Sequence, residues 1–115
     1  QHALMNRLMN PGFGYGGMLA VDVGDHERAC RLMIRMQQEK VGYLAVSLGY
    51  FKTLFSVPGH STSSEIPAEE QRSMGLSEGL IRFSIGLDND MEQMCERIER
   101  CIDELEANLA LASEL

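Results

Sequence analysis

The stretch Gly79-Leu80-Ile81-Arg82-Phe83-Ser84-Ile85-Gly86-Leu87 decides how this chain is read. Successive side chains of a strand point to opposite faces, so Ile81, Phe83 and Ile85 turn to a core and Arg82 and Ser84 share the other face. A guanidinium inside an apolar strand is costly to desolvate unless an anion meets it. Arginine's planar fork suits a carboxylate gripped through two parallel hydrogen bonds. A second polar intrusion, Ser47, interrupts the earlier run Leu44-Ala45-Val46-Ser47-Leu48-Gly49. Together the two segments read as a place to hold a small carboxylic acid. A structural reading fits the spacing equally: Arg82 pairs with a carboxylate such as Asp22 across the sheet, and Ser47 is a turn residue.

Working outward, the pattern predicts a short helix over His2 to Met9, stopped by Asn10-Pro11-Gly12. Met18 to Val23 reads as a strand with Leu19, Val21 and Val23 on one face. Asp25 is a candidate N-cap for a helix over His26 to Lys40, whose stripe is Ala29, Leu32, Met33 and Met36. Gly42 is expected to end that helix. Two strand-like runs follow, Tyr43 to Leu48 and Phe51 to Val57, then a loop from Pro58 to Pro67. Pro67-Ala68-Glu69-Glu70 opens a short helix, with acids near its positive end. Leu80 to Leu87 is the last strand, and a final helix runs from about Asp90 to the end. Its stripe is Met91, Met94, Cys95, Ile98, Ile102, Leu105 and Leu109. Four strands among these helices predict a two-layer α+β domain with helices on one sheet face. The second face would be wet or covered by another domain.

At 115 residues the chain is one domain's worth, long enough for a real core. Its net charge of −7 opposes nucleic acid and an anionic membrane surface as partners. No apolar run approaches bilayer length. Cys30, Cys95 and Cys101 are an odd number without a close pair, which fits reduced thiols and a cytoplasmic location. The start at Gln1, without an initiator methionine, points to a piece of a longer protein.

Two motifs fail their context. Gly12-Phe13-Gly14-Tyr15-Gly16-Gly17 matches G-x-G-x-x-G, but a dinucleotide loop needs a strand before it and a helix after it. Here the order is reversed, so a turn or a close backbone approach is expected. His2, His26 and His60 are scattered over three elements and no His or Cys pair has metal-ligand spacing, so no metal site is expected.

At these residues the chain resembles a known family: the C-terminal domain of the Cys/Met-metabolism enzymes that use pyridoxal phosphate (PLP). Its members include methionine γ-lyase, cystathionine γ-lyase, cystathionine γ-synthase and O-acetylhomoserine sulfhydrylase. The resemblance is carried by Gln1-His2-Ala3-Leu4, Gly14-Tyr15-Gly16-Gly17-Met18-Leu19, Ala45-Val46-Ser47-Leu48-Gly49 and Thr53-Leu54. It continues through Pro58, Ile66-Pro67, Glu69-Glu70-Gln71-Arg72, Gly75-Leu76-Ser77-Glu78-Gly79-Leu80-Ile81-Arg82 and Ser84-Ile85-Gly86-Leu87. It implies the small α+β domain of a fold-type I PLP enzyme, residues 1–115 as one unit, with a largely antiparallel sheet of about four strands. The large PLP-binding domain would lie outside this chain.

The resemblance assigns the substrate α-carboxylate to Ser47 and Arg82. Val46 stands where cystathionine γ-lyase-like members tend to carry glutamate and methionine γ-lyase-like members an apolar residue, which leans towards an uncharged substrate such as methionine. Lys52 replaces a common glutamate, Tyr50-Phe51 is bulkier than the usual pair, and Val57 to Ser64 replaces the run H-P-A-S-M-T-H-S, in which Thr62 keeps the threonine. Ser47, Arg82, Val46 and Thr62 are therefore the candidate substrate-binding residues. The family's cofactor is held by a lysine of the large domain, and neither Lys40 nor Lys52 stands in that context. No catalytic or cofactor-binding residue is expected here, and the isolated chain should be inactive. The resemblance implies a full-length C–S lyase of sulfur amino acids, methionine γ-lyase-like, assembled as a homotetramer. Alternatives are a γ-replacement enzyme, or a non-enzymatic ligand-binding or oligomerisation module of the same fold.

Overall fold

The chain's amphipathic segments fold around a sheet of four strands in a computed structural model that describes residues 1–87 and 90–114. The elements are α1 (His2–Leu8), β1 (Met18–Asp22), α2 (His26–Gln38), β2 (Tyr43–Leu44), β3 (Leu54–Ser56), a 3-10 turn (Pro58–His60), α3 (Ala68–Ser73), β4 (Leu80–Ser84) and α4 (Met91–Ser113). The strand order is β1-β4-β3-β2. β4 pairs antiparallel with both β1 and β3, while β2 runs parallel to β3. The expected α+β class and largely antiparallel sheet hold, with one parallel edge.

α2 begins where Asp25 caps it, its carboxylate accepting the Arg28 N–H at 2.9 Å. The predicted stripe Ala29, Leu32, Met33 and Met36 is buried. It meets Phe55, Ile81 and Phe83 from the sheet and Met94, Cys101 and Leu105 from α4. The helix stops two residues short of the prediction. Lys40 takes φ 60°, its N–H bonds the Gln37 carbonyl at 3.1 Å, and the Val41 N–H reaches back to Met36 at 2.9 Å. This is a Schellman reversal, closed by the buried pair Val41 and Met36. Lys40, not Gly42, ends the helix. Gly42 matters for another reason, since a Cβ there would lie 2.2 Å from the Thr53 carbonyl oxygen. That closeness lets Tyr43 N–H bond Thr53 at 2.9 Å and start β2.

All four predicted strands are shorter than expected, the first by one residue, since Met18 to Val23 keeps Met18–Asp22. Tyr43 to Leu48 keeps only Tyr43–Leu44, Phe51 to Val57 keeps Leu54–Ser56, and Leu80 to Leu87 keeps Leu80–Ser84. Beyond the ends some backbone groups still bond the neighbouring strands' extensions, as Ala45 N–H does to Phe55 at 3.2 Å, while Val46 and Gly49 turn to the side chains of β4. In α4 the buried positions are Met94, Cys101 and Leu105, with Ile98, Ile102 and Leu109 packed beside them. Cys95 and Met91 of the predicted stripe are exposed, because Cys95 sits one position round from the Met94–Ile98–Cys101–Leu105 line. The predicted last residue of this helix, Leu115, lies outside the described residues. Val21 and Val23 pack against the core, and Leu19 of the same stripe stays exposed on the edge strand.

The glycine segment follows α1 and precedes β1, the reverse of a dinucleotide loop. Among the described residues, no helix is long and apolar enough to cross a membrane, and no group of three His, Cys, Asp or Glu is placed to hold a metal ion.

Candidate functional site

β4 is flanked on both sides, so its outward face is a floor rather than an edge. In the ladder Arg82 stands opposite Ala20 of β1 and opposite Ser56 of β3. Directly paired residues share a face, so the long arginine is flanked by two small side chains. That leaves room for it to lie across the sheet. Ser56 is buried there, and its hydroxyl has no hydrogen-bond partner among the described residues.

Arg82 is half-buried and reaches the loop that carries Ser47. Its Nη2 donates to the Val46 carbonyl at 2.6 Å and lies 3.5 Å from the Ser47 carbonyl. Among the described residues no carboxylate pairs with it, and its Nε and Nη1 have no partner. The structural alternative fails at Asp22. That carboxylate accepts the Gly24 N–H and the Ser77 hydroxyl, each at 2.9 Å, instead of meeting Arg82. Arg82 thus reaches the backbone of the loop that carries Ser47, and part of its fork has no partner among the described residues.

Ser47 and Val46 are both exposed. Ser47 lines an open depression of about 430 Å³ with Tyr43, Ala45, Tyr50, Phe51, Lys52 and Leu54. Lys52 lies over the Phe51 ring, 5.6 Å from its centre. Thr62 is exposed in the turns after the 3-10 helix, and no described hydrogen bond joins it to Ser47 or Arg82. The chain's two lysines line a second cleft of about 400 Å³ between the end of α2 and Met94. Lys52 borders the depression of Ser47 as well.

Sequence reasoning misses two contributors. Periodicity puts Ser84 on the face of Arg82 without a role, yet it is buried and its Oγ accepts the Gly49 N–H at 3.0 Å. Gly49 itself takes φ 72°, a conformation open chiefly to glycine. The signal for Ser84 is its two-residue offset from Arg82; for Gly49 there is only the residue type.

A cation with donors unpartnered among the described residues, bonded to the loop of Ser47, can bind and orient one carboxylate.

The chain spans about a quarter of the length of the relatives it matches. It is 41% identical over 101 residues to methionine gamma-lyase of Arabidopsis thaliana, covering 87% of this chain and 23% of that protein. With cystathionine gamma-lyase of Bacillus subtilis it shares 35% over 94 residues, 82% of this chain and 24% of that one. Among solved structures, a putative O-acetylhomoserine (thiol)-lyase of Campylobacter jejuni superposes with a TM-score of 0.71 at 29% identity. The match covers 89% of this chain and 23% of that one, and that structure carries a pyridoxyl-lysine phosphate adduct. Cystathionine gamma synthase of Xanthomonas oryzae pv. oryzae, solved with cystathionine, gives 0.73 at 27%, over 92% and 26% of the two chains. Since the model of that family also matches residues 1–103, the chain belongs to the Cys/Met metabolism PLP-dependent enzymes.

Proposed function

We propose that this chain is the small, substrate-binding domain of a PLP-dependent C–S lyase acting on sulfur-containing amino acids, in the manner of methionine γ-lyase. The observation that carries the reading is Arg82: a half-buried guanidinium that reaches the Ser47 loop and keeps donors unpartnered among the described residues. A substrate α-carboxylate would complete its fork, and the Ser47 hydroxyl would add a third hydrogen bond. The likeness to methionine gamma-lyase and the apolar Val46 support an uncharged substrate side chain.

In this reading the cofactor's covalent seat belongs to the large domain. Of this chain's lysines, Lys40 lines the cleft at the end of α2, and Lys52, over the Phe51 ring, borders both that cleft and the depression of Ser47. PLP, when bound by the remainder of the enzyme, serves as an electron sink. This chain's contribution is orientation: two side chains fix the carboxylate and so limit the rotations open to the substrate's Cα. The isolated chain is inactive in this reading. Exposed Tyr43, Leu48, Tyr50 and Phe51 around Ser47 support a cover by the large domain or a second subunit, within a homotetramer. Three free cysteines support a reducing, cytoplasmic setting.

Replacement chemistry is the second reading, favoured by the synthase and thiol-lyase among the solved relatives. The test is kinetic. In the full-length PLP-loaded enzyme, Arg82→Ala is expected to raise KM for L-methionine and lower kcat/KM about 10- to 100-fold, the worth of charge-assisted hydrogen bonds. Unchanged kinetics overturn the assignment. Running L-methionine and L-cystathionine side by side, with and without an added thiol, separates elimination from replacement.

A further inference from the structure

Arg82 and Ser84 leave β4 on the same face, and each holds the loop that carries Ser47. Arg82 takes the Val46 carbonyl, one residue before Ser47, at 2.6 Å. Ser84 takes the Gly49 N–H, two residues after it, at 3.0 Å. The two bonds bracket Ser47. Gly49 takes a positive φ of 72° where its N–H meets Ser84. The far limb is tied to the same strand's extension, where Leu87 N–H bonds the Phe51 carbonyl and Gly86 N–H bonds Thr53 Oγ1, both at 2.9 Å.

Ser84 is only 3% exposed, so its oxygen is shielded from water and its bond to Gly49 is not readily replaced. Without that acceptor the Gly49 N–H would lose its described partner, and of the two side-chain bonds that bracket Ser47 only that of Arg82 would remain. Arg82 is the residue that a carboxylate must also engage. One side chain would then have to fill both roles, unless another fixes the loop.

We propose that Ser84 is that other residue, a positioning residue that sets the place of the Ser47 hydroxyl relative to the Arg82 guanidinium. Ser84 touches neither substrate nor cofactor and acts through Gly49. The inference rests on the reading of Ser47 and Arg82 as the carboxylate grip. It goes beyond that reading by assigning the geometry of the grip to a third side chain.

The experiment uses the full-length PLP-loaded enzyme with L-methionine and L-cystathionine as probes. Ser84→Ala is expected to raise KM about tenfold with kcat changed less than about twofold, since loss of orientation falls on binding of the held group. Ser84→Cys keeps a small side chain with a weaker acceptor at that position and is expected to show a smaller rise. In a Ser47→Ala background, Ser84→Ala is expected to add less than about twofold, because the hydroxyl it positions is gone. A wild-type KM in Ser84→Ala overturns the inference. So does the full tenfold rise in the Ser47→Ala background, which would mark a general structural effect. If Ser84→Ala does not fold, Ser84→Cys in both backgrounds carries the same test, with wild-type KM as the overturning result. An Arg82→Ala enzyme with normal kinetics sinks the underlying reading instead. A damaged Arg82→Ala with a normal Ser84→Ala sinks only the role of Ser84.

Discussion

The guanidinium of Arg82 donates to the carbonyl of Val46 at 2.6 Å, joining the central strand to the loop one residue ahead of Ser47. The same side chain thus shapes the loop and leaves donors for a ligand. Lysine keeps the charge but has no planar fork, so it cannot hold the carbonyl and a carboxylate in parallel. Arg82→Lys in the full-length enzyme is expected to recover little of the loss in Arg82→Ala, with kcat/KM still down about tenfold or more. Steady-state kinetics on the pair of variants check this, and near-normal activity in the lysine variant would show that charge alone suffices.

Lys40 occupies the left-handed position of the reversal after α2, with φ 60°. A side chain there costs about 1 kcal/mol that glycine avoids. Lys40→Gly is therefore expected to stabilise the chain by up to about 1 kcal/mol, read as a higher urea midpoint at unchanged slope. Lys40→Val, β-branched at the same φ, should move the midpoint the other way.

Gly42 answers to space. A methyl there would meet the Thr53 carbonyl oxygen at 2.2 Å, and that oxygen accepts the Tyr43 N–H. Backbone must move to admit it. Gly42→Ala is expected to cost about 1–3 kcal/mol and to loosen β2 from β3. Amide exchange at Tyr43, faster in the variant than in the parent, would locate the damage.

Arg35 on α2 grips Glu104 on α4 through both carboxylate oxygens, at 2.6 and 3.2 Å, and meets Glu39 at 2.8 Å. The hydrogen bonds from Arg35 hold the Glu104 carboxyl below its usual range. The folded chain therefore keeps Glu104 ionised where the unfolded chain has begun to take up a proton. Its stabilisation is present above the ordinary value of 4.5 and is lost as pH falls below it. Glu104→Gln is expected to flatten the acid side of the stability profile, measured as the difference in urea midpoint between about pH 7 and pH 4. An unchanged difference would place the acid sensitivity in other carboxylates.

Much of the framework is legible in the residues themselves. The burial of Ala29, Leu32, Met33 and Met36, the alternation of Ile81 and Phe83 about Arg82, and the cap at Asp25 all follow from local periodicity and local hydrogen bonding. The candidate grip is legible in the same way, because an arginine inside an apolar strand stands out against its neighbours. Its partner is not: Asp22 and a ligand fit the spacing equally until the fold gives Asp22 to Ser77 and Gly24.

Tertiary structure decided where each element stops. The run from Tyr43 to Leu48 has strand composition throughout, yet only Tyr43–Leu44 forms β2, because Val46 and Gly49 give their backbone groups to Arg82 and Ser84. Periodicity places Cys95 in the apolar stripe of the last helix and leaves Cys101 out of it, and the approach of α2 reverses the two, burying Cys101 and leaving Cys95 exposed. By itself the sequence determined which faces are apolar, because side-chain periodicity is a property of adjacent residues. The ends of strands, the burial of Ser84 and the setting of Ser47 depend on groups far apart in the chain. Only folding brings those groups within hydrogen-bond distance.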